Sequence, residues 1–461
     1  MKIITTLFLG MLIFTGCSTI EPELNIDMNL SKTYSINNES SKVLASKWWS
    51  DFGSKELDML VVKALENNPD ILIAYEKIKQ AKIALATAGA DYMPSVDLKA
   101  NTSANTTKKH NDSKKTTKTT SASIGISYEI DIWDKVGANI RASKALTDMS
   151  IYDYEAVRLS LISSVVESYI TALSAKEKLY IAEQHLNIME DIIEILEKKR
   201  SLGILDDIDI SSQKAAILSQ KNSVIDYKNR YNNAKYALYL LVAETDYSYE
   251  ILEGNIYDLS HPEVKVGLPS ELLLRRPDIA SKKAAIDSNK ALIQVADATR
   301  YPSFSLNASG GLASNDLLNL SNPTSSLGIG LGLQYNIFDR GRLKNRVLIE
   351  ESKAIAAIQN YRKVVLQAFS EVQTALSNLY FVKKQNIITE SLLEEYLHRM
   401  HLIDKKHKYG AVDFETLLEA QKSYIATKQQ TLSSLEIKLN ALVTLHKALG
   451  GGFEIDKKSE Y

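Results

Sequence analysis

His398, Met400, His401 and His407 bring imidazole and thioether donors together within one short stretch, and that donor set suits soft transition metals. The three-residue step from His398 to His401 is equally that of a solvated helix face, so no metal site is expected. The acids of Asn68-Pro69-Asp70 and Arg276-Pro277-Asp278 sit at turns leading into helices rather than in a catalytic pairing. The chain carries no phosphate-binding loop and no Ser/His/Asp set with a recognisable local motif. It is therefore read as a non-enzyme without a catalytic cofactor. What remains is a lone thiol, Cys17, which has no partner for an internal disulfide. A set of acids also lies near two glycines: Asp206 and Asp207 after Gly203, and Asp413 and Glu419 after Gly410. Their meaning depends on the elements that carry them.

Across 461 residues, 45% hydrophobic and 24% charged content is that of a folded protein. With 55 basic and 56 acidic side chains the net charge is −1, which gives no general attraction to nucleic acid. The lysine-rich stretch 106–120 (TTKKHNDSKKTTKTT) has no interleaved aromatics, so it is read as a solvated, unstructured loop rather than a nucleic-acid surface. At the N-terminus, Met1-Lys2, an apolar run and Thr15-Gly16 have the form of a signal peptide over residues 1–16. It is too short to span a bilayer as a mature helix. Cys17 following Thr15-Gly16 resembles the lipobox of bacterial lipoproteins. That resemblance implies a covalent diacylglycerol on the thiol, an N-acyl chain on the new N-terminus, and, with Ser18 next in line, sorting to the outer membrane.

Proline occurs only at 22, 69, 94, 262, 269, 277, 302 and 323, so nothing forbids long helices at 137–202 and 341–408. Each would reach about 100 Å. Leu159, Ile162, Val166, Tyr169 and Leu173, and again Val365, Phe369, Val372, Leu376 and Leu379, alternate steps of three and four, which is a coiled-coil seam. Gly203 and Gly410 interrupt the two runs, and return helices are expected at 207–246 and 413–449, so each glycine marks a hairpin tip. Strand signals differ in kind. From Leu327 to Ile337 every odd residue is large and apolar and every even one is glycine or an amide, giving one greasy face and one small polar face. Strands are expected at about 95–106, 119–131, 303–313 and 326–338, each with the length a transmembrane β-strand needs.

The order strand, loop, strand, long helix, tip, return helix occurs twice. Pro69 and Pro277 each precede a Pro-Ser pair by 25 residues, Asp131-Ile132-Trp133-Asp134 answers Asn336-Ile337-Phe338-Asp339 at an offset of 205, and Gly203 answers Gly410 at 207. The expected organisation is a signal peptide (1–16), a lipid-anchored segment (17–54), two repeats (55–260 and 261–452) and a tail (453–461). Four strands cannot close a barrel. Two copies give the side-chain-filled minimum of about eight strands and three give twelve with a usable bore, so three copies are expected.

Trp48-Trp49-x-x-Phe52, Asn68-Pro69-Asp70-Ile71, Leu268-Pro269-Ser270-Glu271-Leu272-Leu273-Leu274-Arg275-Arg276-Pro277-Asp278-Ile279, Tyr301-Pro302-Ser303, Ile337-Phe338-Asp339-Arg340-Gly341-Arg342 and Leu445-His446-Lys447-Ala448-Leu449-Gly450-Gly451-Gly452 carry a family resemblance. From about residue 45 to 453 the chain resembles the TolC-like outer-membrane efflux proteins, and within them the lipoprotein branch that works with RND pumps. The fold this implies is an α+β membrane protein: a trimeric 12-stranded transmembrane β-barrel, four strands per chain, continuing into a long periplasmic α-helical coiled-coil tunnel. It also implies a homotrimer in outer-membrane lipid, docked to a periplasmic adaptor (membrane fusion) protein and an inner-membrane RND pump. The cargo expected is drugs, toxic compounds or metal ions. By the same resemblance Glu419 falls where a ring of carboxylates narrows the periplasmic end, with Thr416 where some members carry a second acid. Gly203, Asp206, Asp207, Gly410 and Asp413 fall on adaptor-contacting tips. A solvated helix face explains Glu419 equally well.

Two other readings share parts of this pattern. A conduit for type I protein secretion has nearly the same architecture, and the lipobox and Leu-Leu-Leu-Arg-Arg-Pro-Asp segment favour efflux instead. A periplasmic structural or adaptor lipoprotein would use coiled-coil hairpins but has no use for the apolar stripe of residues 327–337.

Overall fold

The computed structural model describes residues 47–108, 114–203, 206–247, 252, 254–264 and 275–453. Cys17, the expected signal peptide, residues 268–274 of the leucine-arginine motif and most of the expected tail lie outside the described residues. The first copy comprises α1 (Lys55–Asn67), α2 (Pro69–Ala90), β1 (Ser95–Thr107), β2 (Lys115–Ile130), α3 (Lys135–Ser201) and α4 (Asp207–Leu241). The second comprises α5 (Pro277–Ala298), β3 (Ser303–Ser314), β4 (Thr324–Gln334), α6 (Arg342–Lys408) and α7 (Phe414–Ala448). The long helices α3 and α6 are both 67 residues, about 100 Å, and the return helices α4 and α7 are both 35.

The described residues form two compact units. One holds Lys77–Ile151 and Ser281–Arg362 and contains the sheet; the other holds the described parts of 29–76, 152–280 and 363–461. The sheet is antiparallel in the order β1-β2-β3-β4. Its register stacks Val96, Ile126, Ala308 and Ile329 in one row, Leu98, Ile124, Gly310 and Leu327 in the next, and Tyr128, Leu306 and Leu331 in another. Successive strand residues point to opposite faces, so these rows make one continuous apolar surface. Asp97, Gly125, Ser309 and Gly328, with Ser127, Asn307 and Gly330, line the other face. Where β2 leaves the sheet, Trp133 stacks on Tyr301 with ring centroids 4.9 Å apart and donates its Nε1–H to the Pro302 carbonyl at 2.7 Å.

The helical unit has its own core, in which Trp48, Phe52 and Leu57 meet Val166, Tyr169, Leu238, Val372, Leu439 and Leu445. The seam expected on α3 is broader than a single stripe: Leu161, Ile162, Val165, Val166, Tyr169, Ile170, Ala172 and Leu173 are all buried. The α6 seam is narrow, with Val365, Val372, Leu376 and Leu379 buried while Leu366 and Phe381 are exposed. Polar ties fix the pairing of long and return helices. Gln213 and Gln220 on α4 donate to the carbonyls of Met189 and Ala182 on α3, at 3.0 and 2.8 Å.

Two expectations need correction. The described parts of stretch 106–120 are largely strand rather than unstructured loop, because β1 runs to Thr107 and β2 starts at Lys115. Thr102 pairs with Thr120 and Thr106 with Thr116, each hydroxyl pair 3.0 Å apart, and such threonine ladders stabilise a hairpin without any apolar face. The fourth strand, expected to 338, ends at Gln334. Its in-chain partner runs out there: Gln334 faces Ser303, and Pro302 has no N–H to extend the ladder.

Candidate functional site

A channel wall needs a surface for lipid, a surface for water and a controlled end, and three regions of the chain have the matching chemistry. The first is the sheet. Leu327, Ile329, Leu331 and Leu333 on β4 are all exposed, Leu327 at 87%, and Val96, Leu98, Ile124 and Leu306 are exposed beside them. In water such a face is a liability; in a bilayer it is the required surface. The opposite face is made small by Gly125, Gly328, Gly330 and Gly332 and polar by Asp97, Lys99, Ser127 and Asn307, which suits a wet lumen.

The second region is the helix tips. Gly203 and Gly410 close α3 and α6 with φ of +72° and +71°. Their N–H groups donate to the carbonyls of Arg200 and His407, each at 2.9 Å, so left-handed glycine caps satisfy the last helical turns. Asp206 and Asp413 then start the return helices as N-caps. The Asp413 carboxylate accepts from the Thr416 N–H at 2.8 Å and Asp206 accepts from Ile208 at 3.4 Å. Hydrogen bonds from Thr416, assisted by His407, hold the Asp413 carboxyl below its ordinary range. Asp207 forms an ion pair with Arg200 across the first tip. Leu196 and Ile210 of the first hairpin share one apolar cluster with Phe414 and Leu417 of the second, so both tips gather at the same end of the helical unit.

The third region is the face of α7 just behind the second tip. Glu419 is exposed between buried Leu417 and Ala420, so it projects away from the helix packing. Glu415, one turn earlier and also exposed, shares its face because residues four apart on a helix are neighbours. Glu415 was missed from the sequence: attention to position 416 overlooked the four-residue spacing that places it beside Glu419. Lys422, exposed three residues beyond Glu419, partly offsets the pair. His407 belongs to the tip as well, with Nδ1 3.2 Å from the Val412 carbonyl and its ring against Phe414.

Among the groups not anticipated, Arg276 is the most heavily used. Its side chain is only 11% exposed and bridges Asp278 through Nε and Nη2 at 3.0 and 2.7 Å, Glu371 at 2.6 Å and the Ala448 carbonyl at 3.1 Å. In the first copy Asn68 donates to the Leu241 carbonyl at 2.9 Å and accepts from the Asp70 N–H at 2.9 Å. The matched Asn-Pro-Asp and Arg-Pro-Asp triplets were the available signal.

Comparison with known proteins agrees with this reading. The family model described as outer membrane efflux protein matches residues 60–244 and 268–451, once for each copy. The chain is 30% identical to the pyoverdine export outer membrane protein OpmQ of Pseudomonas aeruginosa, covering 89% of this chain and 88% of that protein. It is 25% identical to the cation efflux system protein CusC of Escherichia coli K12, over 96% and 97% of the two chains. Its fold superposes on the Campylobacter jejuni CmeC outer membrane channel with a TM-score of 0.84 at 26% identity, covering 95% and 96%. For the open state of the Neisseria gonorrhoeae MtrE outer membrane channel the TM-score is 0.85 at 23% identity, covering 95% and 99%. The chain belongs to the outer membrane efflux protein family and is a TolC-like channel subunit rather than an enzyme, with its strands in the outer-membrane barrel and its long helices in the periplasmic tunnel.

Proposed function

We propose that three copies of this chain close a twelve-stranded barrel and form the exit duct of a tripartite efflux system, fed by a periplasmic adaptor protein and an inner-membrane RND pump. The observation that carries this reading is the four-stranded sheet, with one apolar face and, among the described residues, an open outer edge on each of its two outermost strands, β1 and β4. Lipid cannot solvate the open edges, and three sheets are the smallest number that gives a bore. Relatives named for pyoverdine export, cation efflux and toluene efflux support small toxic compounds or metal ions as the cargo class. The duct is passive, and the pump selects the cargo. Planar-bilayer recording of the purified protein tests this: discrete trimer-sized conductance supports it, and the absence of pores sinks it.

Cys17 carries the lipid in this proposal, with a diacylglycerol thioether and an N-acyl chain anchoring the N-terminus in the outer membrane. Mass spectrometry of the N-terminal peptide decides that point. The tips at Gly203, Asp206, Asp207, Gly410 and Asp413 meet the adaptor, supported by their convergence on one apolar cluster. Three copies of Glu419, backed by Glu415, form the acidic narrowing that repels anions and favours cations. Glu419→Ala is expected to lower cation over anion permeability in reversal-potential measurements. Unchanged selectivity would place Glu419 on a solvated outer face.

A further inference from the structure

The internal duplication contains a template for the junction between copies. Within the chain, the last strand of the first copy, β2, pairs with the first strand of the second copy, β3. The last strand of the second copy, β4, and the first strand of the first copy, β1, are the free edges. The duplication carries β2 onto β4 by a shift of 205, as Trp133 goes to Phe338. It carries β3 back onto β1 by a shift of 208, as Pro302 goes to Pro94 and Ser303 to Ser95. Applied to the observed pairs, the shifts turn Ile126↔Ala308 into Leu331↔Ala100 and Gly125↔Ser309 into Gly330↔Asn101. They also turn Glu129↔Ser305 into Gln334↔Asp97.

From this the geometry points to one defined seam: β4 of one copy pairs antiparallel with β1 of a second copy, with Ile329 opposite Thr102 and Gly330 opposite Asn101. This rests on the assembly proposed above and adds its register. Three observations support it that were not used to build the shifts. Continued to the outer end, the register brings Thr324, the first residue of β4, opposite Thr107, the last residue of β1, so the strand ends meet without overhang. The parity is right, because the odd, apolar residues of β4 meet the even residues of β1, which already share the apolar face through Val96↔Ile126 and Leu98↔Ile124. A slip by one residue would turn the greasy row into the lumen. On the lumen face, Gly332 falls opposite Lys99, where the missing side chain leaves room for the lysine stem.

The seam also gives the exposed end of β4 a partner. Phe338, at 82% exposed, takes the place that Trp133 holds against Tyr301 and Pro302, and the corresponding residues are Met93 and Pro94. A thioether beside an aromatic ring is a favourable contact, though it lacks the Trp133 Nε1–H bond. The seam between copies therefore has a weaker clasp than the seam within the chain.

The test is disulfide formation in outer membranes, since Cα atoms more than about 7 Å apart cannot be bridged. Ile329→Cys with Thr102→Cys and Gly330→Cys with Asn101→Cys cover both classes of antiparallel pair. Ile329→Cys with Ala100→Cys or with Ala104→Cys reports a two-residue slip, and the single-cysteine variants control for Cys17. On oxidation with copper phenanthroline, the in-register pairs are expected to convert most of the chain into linked species up to trimer, at least fivefold more than the slipped pairs. Linking by a slipped pair instead overturns the register. Trimers retained by amine-reactive crosslinking with no disulfide in any pair overturn the β4–β1 seam and leave the assembly standing. Monomer alone in every assay, including the unsubstituted protein, overturns the assembly itself.

Discussion

In the first copy Asn68 donates to the carbonyl of Leu241, the last residue of α4, and in the second Arg276 donates to that of Ala448, the last residue of α7. A helix end leaves carbonyls without intrahelical partners, and both copies satisfy one of them from the residue before the proline that opens an earlier helix of the same copy, α2 or α5. A neutral amide does this in one place; a charged fork does it in the other. The fork must be neutralised, so it recruits Asp278 beside it and Glu371 on α6. The second copy thereby joins the start of α5, the middle of α6 and the end of α7 at one side chain, whereas Asn68 joins the start of α2 and the end of α4. The next residues differ to match. Both return helices end with the same left-handed turn, Glu244 N–H to Tyr239 and Gly451 N–H to His446, each 2.9 Å. The first copy places Ala243 there at φ +54° and the second places Gly450 at +90°. A Cβ on Gly450 would strike the Arg275 carbonyl oxygen, so bringing the arginine close requires glycine. One fold element, copied, has taken on tighter packing and a charge at only one of its two sites.

Breaking the arginine knot is expected to have the largest effect. Arg276→Ala leaves Asp278 without its counter-ion and should lower stability by about 3 kcal/mol, the low end for a buried pair because Glu371 is half exposed. Asn68→Ala should cost only about 1 kcal/mol. Paired thermal melts in detergent measure both, and equal losses would erase the distinction. The next effect depends on pH. His446 is stacked on Trp48 at 4.8 Å, and its buried ring nitrogens have no partner among the described residues. Burial alone pushes its pKa down from 6.5 to about 4. Between those values the unfolded chain binds a proton that the folded chain refuses. His446 therefore penalises the folded state not at all above pH 6.5 and by roughly 3 kcal/mol once pH falls to about 4. Its counterpart in the first copy is Tyr239, also fully buried. His446→Phe should flatten the acid limb of the stability profile, and a limb that stays put would assign it to other groups.

Gly450→Ala should destabilise by about 2 kcal/mol or more, through backbone strain together with the collision of its Cβ with the Arg275 carbonyl oxygen. Ala243→Gly, where an alanine already tolerates the turn, should change stability by less than about 1 kcal/mol in either direction. Urea titrations of the two variants compare these directly. The smallest effect lies at the tips. The Asp413 carboxyl is held below its ordinary range, so its cap is complete above the usual carboxylate pKa and fades as pH falls through the lowered value. Asp413→Ala should speed amide exchange at Thr416 more than Asp206→Ala does at Ile208, because the Asp206 bond is the longer one.

Strand identity was legible where chemistry alternates every second residue, as from Leu327 to Leu333, because side-chain direction and residue type share that period. The threonine-lysine extension from Lys115 to Thr119 was not, since an alternation with no apolar partner looks like a loop. The end of β4 was misjudged for a different reason: Tyr335 and Ile337 keep the pattern, and only the position of Pro302, just before β3, shows where the in-chain ladder stops. At the helix ends, Gly203 and Gly410 announced the turns. Nothing local announced that Arg276 reaches Ala448, because that bond joins residues 172 apart. Glu419 was singled out by family resemblance, and placing Glu415 on the same face needed only the helical period.

The two open edges of the sheet also bear on inheritance. A ring of three copies has three seams, and each subunit takes part in two of them. A chain altered along β4 therefore damages any ring it enters. With equal amounts of altered and normal chain, only about one ring in eight is built from normal chains alone. Lesions at the edges should behave as dominant traits, whereas lesions that unfold a single chain before assembly should be recessive.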